Sequence, residues 1–253
     1  MTAIFSIQNV TVRFGGLTAV NAFSMDVQQG TIHALIGPNG AGKSTVFNCI
    51  SRFCTPAEGR IAFAGRSVLD LPADGIVKAG IARTFQNLEL LRRMTVLETV
   101  LIGLTSRVES YVPFWPGKRR TRAETAAVDQ AEEILARTGL SAARDTLAGE
   151  LDFGHQKMLD LARALAARPK LLLLDEPAAG LRNREISLLD KLLLDLAREG
   201  LTIVLVEHVM QLVMSVASTI TVLNFGQKIA EGAPAAIRRD RHVIEAYLGG
   251  SHA

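Results

Sequence analysis

One short segment constrains this chain more than any other part of its sequence. Residues 37–44 read Gly-Pro-Asn-Gly-Ala-Gly-Lys-Ser and fit G-x-x-x-x-G-K-S/T at every fixed position, a pattern typical of loops that bind phosphate groups. The apolar run 31–36 before the loop predicts a buried strand, and the run 45–52 after it predicts a helix. This order places backbone N–H groups and the positive end of a helix against an anion. The alternative is a Gly-rich turn without a ligand.

Each residue type in this loop has a chemical use. Glycines let the backbone wrap around phosphates, a lysine reaches the β- and γ-phosphates, and a hydroxyl ligates Mg²⁺. Lys43 is therefore predicted to be a catalytic cation, and Ser44 a metal ligand. We expect the whole loop and the residue after it to bind ATP: Gly37, Pro38, Asn39, Gly40, Ala41, Gly42, Lys43, Ser44 and Thr45.

A second motif supplies carboxylates. Four leucines at residues 171–174 predict a buried strand, and Asp175 and Glu176 follow them. In parallel α/β sheets, ligands bind outside the carboxyl ends of the strands. Asp175 is therefore predicted to hold Mg²⁺, and Glu176 to polarise the attacking water. Taken by itself, the segment is also compatible with a solvated acidic turn.

Apolar strands alternate with helical patterns at both ends of the chain, whereas helical patterns predominate in the middle. This order predicts an α/β fold of the P-loop NTPase type, with a mostly parallel sheet and an antiparallel β part near the N-terminus. We expect one domain over residues 4–249. Its α/β core comprises residues 4–86 and 168–249, and the inserted helical subdomain comprises residues 87–167.

Composition and charge exclude several classes of protein. Hydrophobic residues make up 48% and charged residues 21% of the 253 residues, so a disordered or fibrous chain is excluded. Two cysteines are too few for a disulfide scaffold. Cys49 and Cys54 lack the companions of a metal site and are predicted to be core thiols. The formal net charge of +3 is too small to indicate a nucleic-acid partner.

Residues 208–227 contain no formally charged side chain and are long enough to cross a bilayer. They include polar residues, and near Ser218 the pattern changes from helical to β-rich. We therefore expect a buried helix at 208–217 and a strand at 219–225 rather than a transmembrane span. Because residues 1–10 also lack a secretory signal, we expect a soluble, intracellular chain that docks on a membrane partner.

The order of these motifs resembles the ATP-binding subunits of ABC transporters over nearly the whole chain. The segment Thr84-Phe85-Gln86 is similar to the Q-loop of that family, and His208 lies at the position of its switch histidine. The resemblance implies that Gln86 contacts Mg²⁺ and the lytic water, and that His208 hydrogen-bonds the γ-phosphate. It also implies that Phe14 stacks on adenine. Considered singly, His208 could be a packed or capping histidine, and Phe14 a core residue.

Residues 151–157 lie where the family has its signature sequence, which contacts the nucleotide held by a second subunit. The resemblance therefore implies a role in trans for four residues: Asp152, Phe153, Gly154 and His155. Asp152 and His155 depart from the Ser and Gln of the general signature, and Arg182 replaces the Asp that ends the family's D-loop.

Asp152 is compatible with two interpretations. It can simply cap the signature helix, as Ser does, or its charge can weaken ATP-driven dimerisation by repelling phosphate. A cation such as Lys157 or Arg182 could neutralise it.

A narrower resemblance concerns four segments, residues 84–87, 175–181, 207–214 and 243–249, which are similar to the ATPase subunits of branched-chain amino acid importers. It implies ATP hydrolysis with Mg²⁺, coupled to uptake of branched-chain or related amino acids. It also implies a second ATPase subunit (homo- or heterodimer), two integral-membrane permeases and a periplasmic or extracellular substrate-binding protein as partners, without nucleic acid.

The expected location is peripheral, at the cytoplasmic face of the inner membrane. The basic segment 118–122 is expected to be a solvated face or a contact with headgroups or the permease. Two other functions stay open at this point: the ATPase of a lipid or polysaccharide exporter, and a soluble ABC-type ATPase that acts in repair or translation.

Overall fold

The computed structural model describes residues 3–84, 90–105 and 122–248. Of residue 248 it describes the backbone but not the side chain. The strands in chain order are β1 (Ala3–Phe14), β2 (Leu17–Gln28), β3 (Ile32–Ile36), β4 (Glu58–Phe63), β5 (Arg66–Ser67), β6 (Ile81–Arg83), β7 (Leu171–Asp175), β8 (Thr202–Val206), β9 (Thr219–Asn224) and β10 (Gln227–Gly232). The helices are α1 (Lys43–Ile50), α2 (Gly75–Ala79), α3 (Val96–Thr105), α4 (Arg122–Arg137), α5 (Phe153–Ala166), α6 (Asn183–Arg198), α7 (Met210–Val216), α8 (Pro234–Ile237) and α9 (Arg241–Leu248). Short 3₁₀ turns lie at Ser141–Ala143 and Ala148–Glu150.

Two sheets form the β structure of the described residues. The larger sheet has the strand order β10-β9-β3-β8-β7-β6, and its strands pair in parallel except for β9 with β10. The smaller sheet has the order β2-β1-β4-β5 and is antiparallel. The predicted fold class is therefore confirmed: a mostly parallel core sheet with an antiparallel β part near the N-terminus.

The burial of the strands explains their places in the larger sheet. Every residue of β3, β7 and β8 is buried, as expected for central parallel strands whose two faces are both covered. On one face, a hydrophobic core joins this sheet to the smaller sheet and α1 through Phe5, Phe23 and Phe47. On the other face, Leu172, Leu174 and Leu205 pack with the apolar sides of α5 and α6.

The helices α3, α4 and α5 share a separate hydrophobic core. Val100, Leu135 and Leu159 are fully buried in this cluster, which is distinct from the clusters on the two faces of the larger sheet. One side of α5 packs in this cluster, and its other side packs in the cluster on the larger sheet. The boundaries 87 and 167 of a helical subdomain remain a prediction, and most of the basic segment, residues 118–121, lies outside the described residues.

The element boundaries correct several sequence-based expectations. The uncharged stretch is a helix followed by a strand, as predicted, but α7 begins at Met210 because His208 and Val209 stay in the loop after β8. The helix α1 begins at Lys43, two residues before the predicted start. The edge strand β10 is mostly half-buried or exposed, so it lacks the apolar run that would predict a strand. No helix within the described ranges is long and apolar enough to cross a membrane.

Candidate active site

The phosphate loop connects β3 to α1 and is closely surrounded by other backbone. A Cβ at Gly37 would clash with the carbonyl of Leu223, and one at Gly42 would lie 2.6 Å from the carbonyl oxygen of Ala19. Gly42 also has a φ of 105°, a conformation that favours glycine. The path of the loop between β2 and β9 therefore requires glycine at these two positions.

The N-terminus of α1 carries no side-chain cap and no acidic residue in its first turn. Its N–H groups are thus available to an anionic ligand. Nearby, the buried ammonium of Lys43 donates to the carbonyl oxygens of Gly37, at 2.7 Å, and Pro38, at 2.9 Å. Burial lowers the pKa of Lys43, while Glu176 and Asp175 oppose this shift. The loop therefore holds a cation at its centre, beside two carboxylates.

The carboxylate of Asp175 is buried at the end of β7 and forms an ion pair with Arg83. The Arg83 Nη2 atom lies 2.7 Å from Asp175 Oδ2, and Arg83 Nη1 donates to Asn48 Oδ1 at 2.9 Å. The guanidinium also lies over the rings of Phe47 and Phe53, at 5.4 and 6.0 Å from their centroids. The Arg83 side chain therefore ties the carboxylate strand to α1.

The residues present fit a magnesium site that the nucleotide completes. The Ser44 hydroxyl and the Asp175 carboxylate are hard oxygen ligands, and Mg²⁺ is usually held by one or two carboxylates together with substrate phosphates. The second oxygen of Asp175, Oδ1, accepts no hydrogen bond from the part of the chain that is described. No cluster of three or more His, Cys, Asp or Glu among those same residues could hold a metal ion by itself.

Glu176 and His208 meet where β7 and β8 end. The Glu176 backbone is left-handed, with a φ of 50°, and its N–H donates to the carbonyl of Val206 at 2.8 Å. The ammonium of Lys157, on α5, donates to the carbonyl oxygen of Glu176 at 3.1 Å. The His208 Nδ1 atom lies 3.8 Å from Glu176 Oε1. Two predicted catalytic residues are therefore neighbours.

Phe14 lies at the tip of the β1–β2 hairpin, where it pairs with Leu17. It is 53% exposed, so the alternative interpretation of Phe14 as a core residue is wrong. The same hairpin reaches the phosphate loop, because the Ala19 carbonyl is the close neighbour of Gly42. The predicted contact of Gln86 lies outside the described residues, which omit residues 85–89.

The signature helix α5 begins with Asp152 as its N-cap. Asp152 Oδ1 accepts a hydrogen bond from the backbone N–H of His155 at 2.9 Å and lies 2.7 Å from His155 Nδ1. These two interactions lower the pKa of Asp152. Asp152 therefore caps α5 with His155 as its side-chain partner, and this cap is common to both interpretations of Asp152. Lys157 does not neutralise Asp152, because its ammonium binds the Glu176 carbonyl.

The residues after Asp152 pack on the start of α6 and the turn before it. A Cβ at Gly154 would lie 2.8 Å from Glu185 Oε1, and a Cβ at Gly180 would lie 2.6 Å from the Phe153 ring. Within the described ranges, no hydrogen bond or ion pair joins residues 152–155 to the phosphate loop of the same chain. The structure therefore does not bring the two predicted nucleotide-binding segments together within one chain.

Sequence reasoning assigned no role in the site to Arg83 or Glu207, and it considered Lys157 only as a partner of Asp152. The Glu207 side chain is buried and accepts hydrogen bonds from the backbone N–H groups of Ala178, His208 and Val209. Burial raises its pKa, whereas these hydrogen bonds oppose the shift. Their positions in the sequence could have indicated them, because each residue lies next to or within a motif. The fold then places each side chain in the interior.

A glycine-lined phosphate loop after β3, a histidine after the adjacent strand β8 and two carboxylates at the end of β7, beyond β8 in the sheet, define an ATP-binding cassette, which is an ATPase. Family comparison agrees: residues 20–179 match the ABC transporter family, and residues 227–253 match the branched-chain amino acid ATP-binding cassette transporter family.

Curated relatives extend this match to the whole chain. The chain is 40% identical over 251 residues to the high-affinity branched-chain amino acid transport ATP-binding protein LivG of Salmonella typhimurium, covering 97% of this chain and 98% of that protein. BraF of Pseudomonas aeruginosa, which carries the same description, has the same identity and coverage.

Solved structures show the same fold. The ADP conformation of MJ1267, an ATP-binding cassette of an ABC transporter, superposes with a TM-score of 0.86 at 33% identity, over 98% of this chain and all of that one (100%). The dimeric MJ0796 cassette has a TM-score of 0.79 at 26% identity, over 91% of this chain and 98% of that one. The chain belongs to the ABC transporter family, as an ATP-binding subunit of its branched-chain amino acid group.

Proposed function

We propose that this protein hydrolyses ATP to drive uptake of branched-chain or related amino acids through two permease subunits. The observation that carries the proposal is the 40% identity to branched-chain amino acid transport ATP-binding proteins over nearly the full chain. Residues 227–253 of the sequence favour it further, since they match the branched-chain family and not only the general cassette. No particular observation favours an exporter or a repair and translation ATPase.

In the proposed site, ATP binds along the phosphate loop, residues 37–45. The Lys43 ammonium faces the β- and γ-phosphates, the uncapped N–H groups of α1 bind phosphate oxygens, and the ring of Phe14 stacks on adenine. Mg²⁺ held by Ser44, Asp175 and Gln86 would neutralise phosphate charge when bound. The Lys43 ammonium, the Asp175 carboxylate and the start of α1 are held in place by the surrounding chain, and such preorganisation is what electrostatic stabilisation requires.

Hydrolysis requires a water oriented toward the γ-phosphate. We assign Glu176 as the residue that accepts the proton of this water, and His208 as the residue that hydrogen-bonds the γ-phosphate. Their side chains lie 3.8 Å apart at the closest nitrogen–oxygen pair, so both can reach one reacting group. Gln86 is proposed to contact the same water.

The site is proposed to be completed by a second ATPase subunit. At the N-terminus of α5, Asp152, Phe153 and His155 are exposed and Gly154 is buried. These four residues would contact the nucleotide held by the other subunit. A dimeric cassette among the similar structures supports this arrangement. We further propose that residues 87–167 form a helical subdomain facing the permeases at the cytoplasmic side of the membrane, with a binding protein delivering substrate outside.

Reconstitution tests the transport role. The protein would be co-expressed with its permeases, purified as a complex in proteoliposomes, and supplied with binding protein and labelled leucine. We expect leucine uptake that depends on ATP and is absent with the Lys43→Ala variant, while Lys78→Ala, an exposed lysine on α2, leaves it unchanged. Efflux instead of uptake would contradict the importer assignment. ATPase activity that does not rise when binding protein and an amino acid are added would also contradict it.

A further inference from the structure

We propose that Glu207 is a positioning residue for hydrolysis, whose buried carboxylate fastens the turn that carries Glu176 to the turn that carries His208. The inference rests on the proposed roles of those two residues. In the described structure, the hydrogen bonds of Glu207 go to the turns after β7 and β8 and not to the phosphate loop. It would act only through the two loops that it joins.

The hydrogen bonds of Glu207 divide between the two turns. Its Oε2 accepts from the N–H of Ala178 at 3.2 Å, two residues after Glu176. Its Oε1 accepts from the N–H groups of His208 at 3.1 Å and Val209 at 3.3 Å. One carboxylate therefore joins the backbone after β7 to the backbone after β8, and each oxygen serves a different turn.

The surroundings make this connection rigid. The Glu207 side chain is 0% exposed, and Ala178 is buried with it. Hydrogen bonds to a charged acceptor in such an interior are stronger than neutral ones. The His208 Nδ1 atom is equally close to both carboxylates, at 3.8 Å from Glu176 Oε1 and 3.8 Å from Glu207 Oε1. A shift of either turn would therefore change the distance between Glu176 and His208.

The chemistry explains why a glutamate occupies this position. A carboxylate offers two acceptor oxygens, whereas the amide of glutamine offers one oxygen and one NH₂ group. In Glu207→Gln the NH₂ group would face a backbone N–H on one side, so one of the two turns would lose its partner. The substitution changes little in volume, and it therefore tests the two-sided connection rather than the packing.

Steady-state hydrolysis, binding of a fluorescent ATP analogue and thermal unfolding of the purified protein test the proposal. For Glu207→Gln we expect kcat to fall about 10- to 100-fold, since small misplacements of catalytic groups have effects of this size, while the Kd of the analogue changes less than about twofold. Glu199→Gln, which removes an exposed charge paired with Arg137, is the matched control and should change neither. Parent-like kcat in Glu207→Gln, or a loss in kcat matched by an equal loss in affinity, overturns the proposal.

A double-mutant cycle separates positioning from a purely structural role. If Glu207 acts through Glu176, adding Glu207→Gln to Glu176→Gln should reduce the residual kcat much less than it reduces that of the parent. An equal factor in both backgrounds overturns the inference. If Glu176→Gln itself hydrolyses ATP like the parent, the proposed function of Glu176 fails; if only Glu207→Gln is parent-like, the positioning role alone fails.

Discussion

Two helices of this protein begin at sites proposed to face phosphate, yet their N-termini are built differently. The helix α1 follows Gly42, which provides no side chain, and it has no acidic residue in its first turn. The helix α5 follows Asp152, whose carboxylate caps the helix and pairs with His155. Both ends carry the positive pole of a helix dipole, but only α5 supplies its own anion.

The difference indicates distinct tasks for the two helix ends. At α1, the uncapped N–H groups and the Lys43 ammonium form a site in which the first turn of the helix supplies no competing carboxylate. At α5, an incoming phosphate must share the first turn with a carboxylate that is 62% exposed. We therefore expect α1 to account for most of the nucleotide affinity, and α5 to modulate dimerisation.

The largest expected effect removes the cation beside α1. In Lys43→Ala, hydrolysis should be abolished and affinity for ATP should fall about 10- to 100-fold, because charged hydrogen bonds to the phosphates are lost. Phosphate release and equilibrium binding measure the two effects, with Lys78→Ala as the control. Turnover close to that of the parent would mean that the phosphate loop is not part of the active site.

A second substitution separates binding at α1 from chemistry at the end of β7. In Glu176→Gln, ATP binding should remain while hydrolysis slows about 100- to 10,000-fold, since an amide cannot accept the proton of water. Size-exclusion chromatography with ATP should show a stable dimer. Rapid hydrolysis by this variant would mean that the catalytic carboxylate lies elsewhere.

The glycine at the start of α1 tests whether the open helix end depends on the absence of a side chain. Gly42→Ala places a Cβ against the carbonyl of Ala19 at a φ of 105°, so the loop must shift or store strain of about 1–3 kcal/mol. Thermal unfolding and ATP affinity should both suffer. The control is Gly139→Ala, with a φ of 74° and no atom within 4 Å of the added carbon; equal losses in both variants would assign the effect to φ alone.

The smallest expected effect concerns the charge at α5. In Asp152→Asn the cap is kept and the charge is removed, and the ATP concentration for half-maximal activity should fall about two- to fivefold, the size of one charge near a helix end. Asp152→Ser should behave in the same way. Unchanged ATP dependence and an unchanged dimer fraction in both variants would show that Asp152 is only a cap.

The pH dependence of this effect follows from the lowered pKa of Asp152. In the folded protein, the Asp152 carboxylate is ionised above the ordinary aspartate pKa of 3.8, and it becomes protonated only at lower pH. The stabilising cap is thus present at neutral pH and lost as the pH falls through the lowered value. The difference between the parent and Asp152→Asn should therefore persist from pH 6 to pH 8 in activity assays.

The fold class, the phosphate loop and the carboxylate strand could be predicted from the sequence alone. These features are contiguous: a fixed spacing of glycines before Lys43, and a run of leucines before Asp175 and Glu176. Local backbone preference and burial of a short apolar strand are enough to define them. The uncharged stretch was likewise resolved by a change of periodicity within the stretch itself.

Which charged side chains contact one another inside the site could be seen only in the folded chain. Arg83 reaches Asp175 across 92 residues of chain, and Glu207 reaches the N–H of Ala178 across 29. No local pattern encodes such pairs, because parallel strands bring together residues that are distant in sequence. The tertiary structure also directs Lys157 inward to the Glu176 carbonyl, so the side-chain partner of Asp152 is the local residue His155.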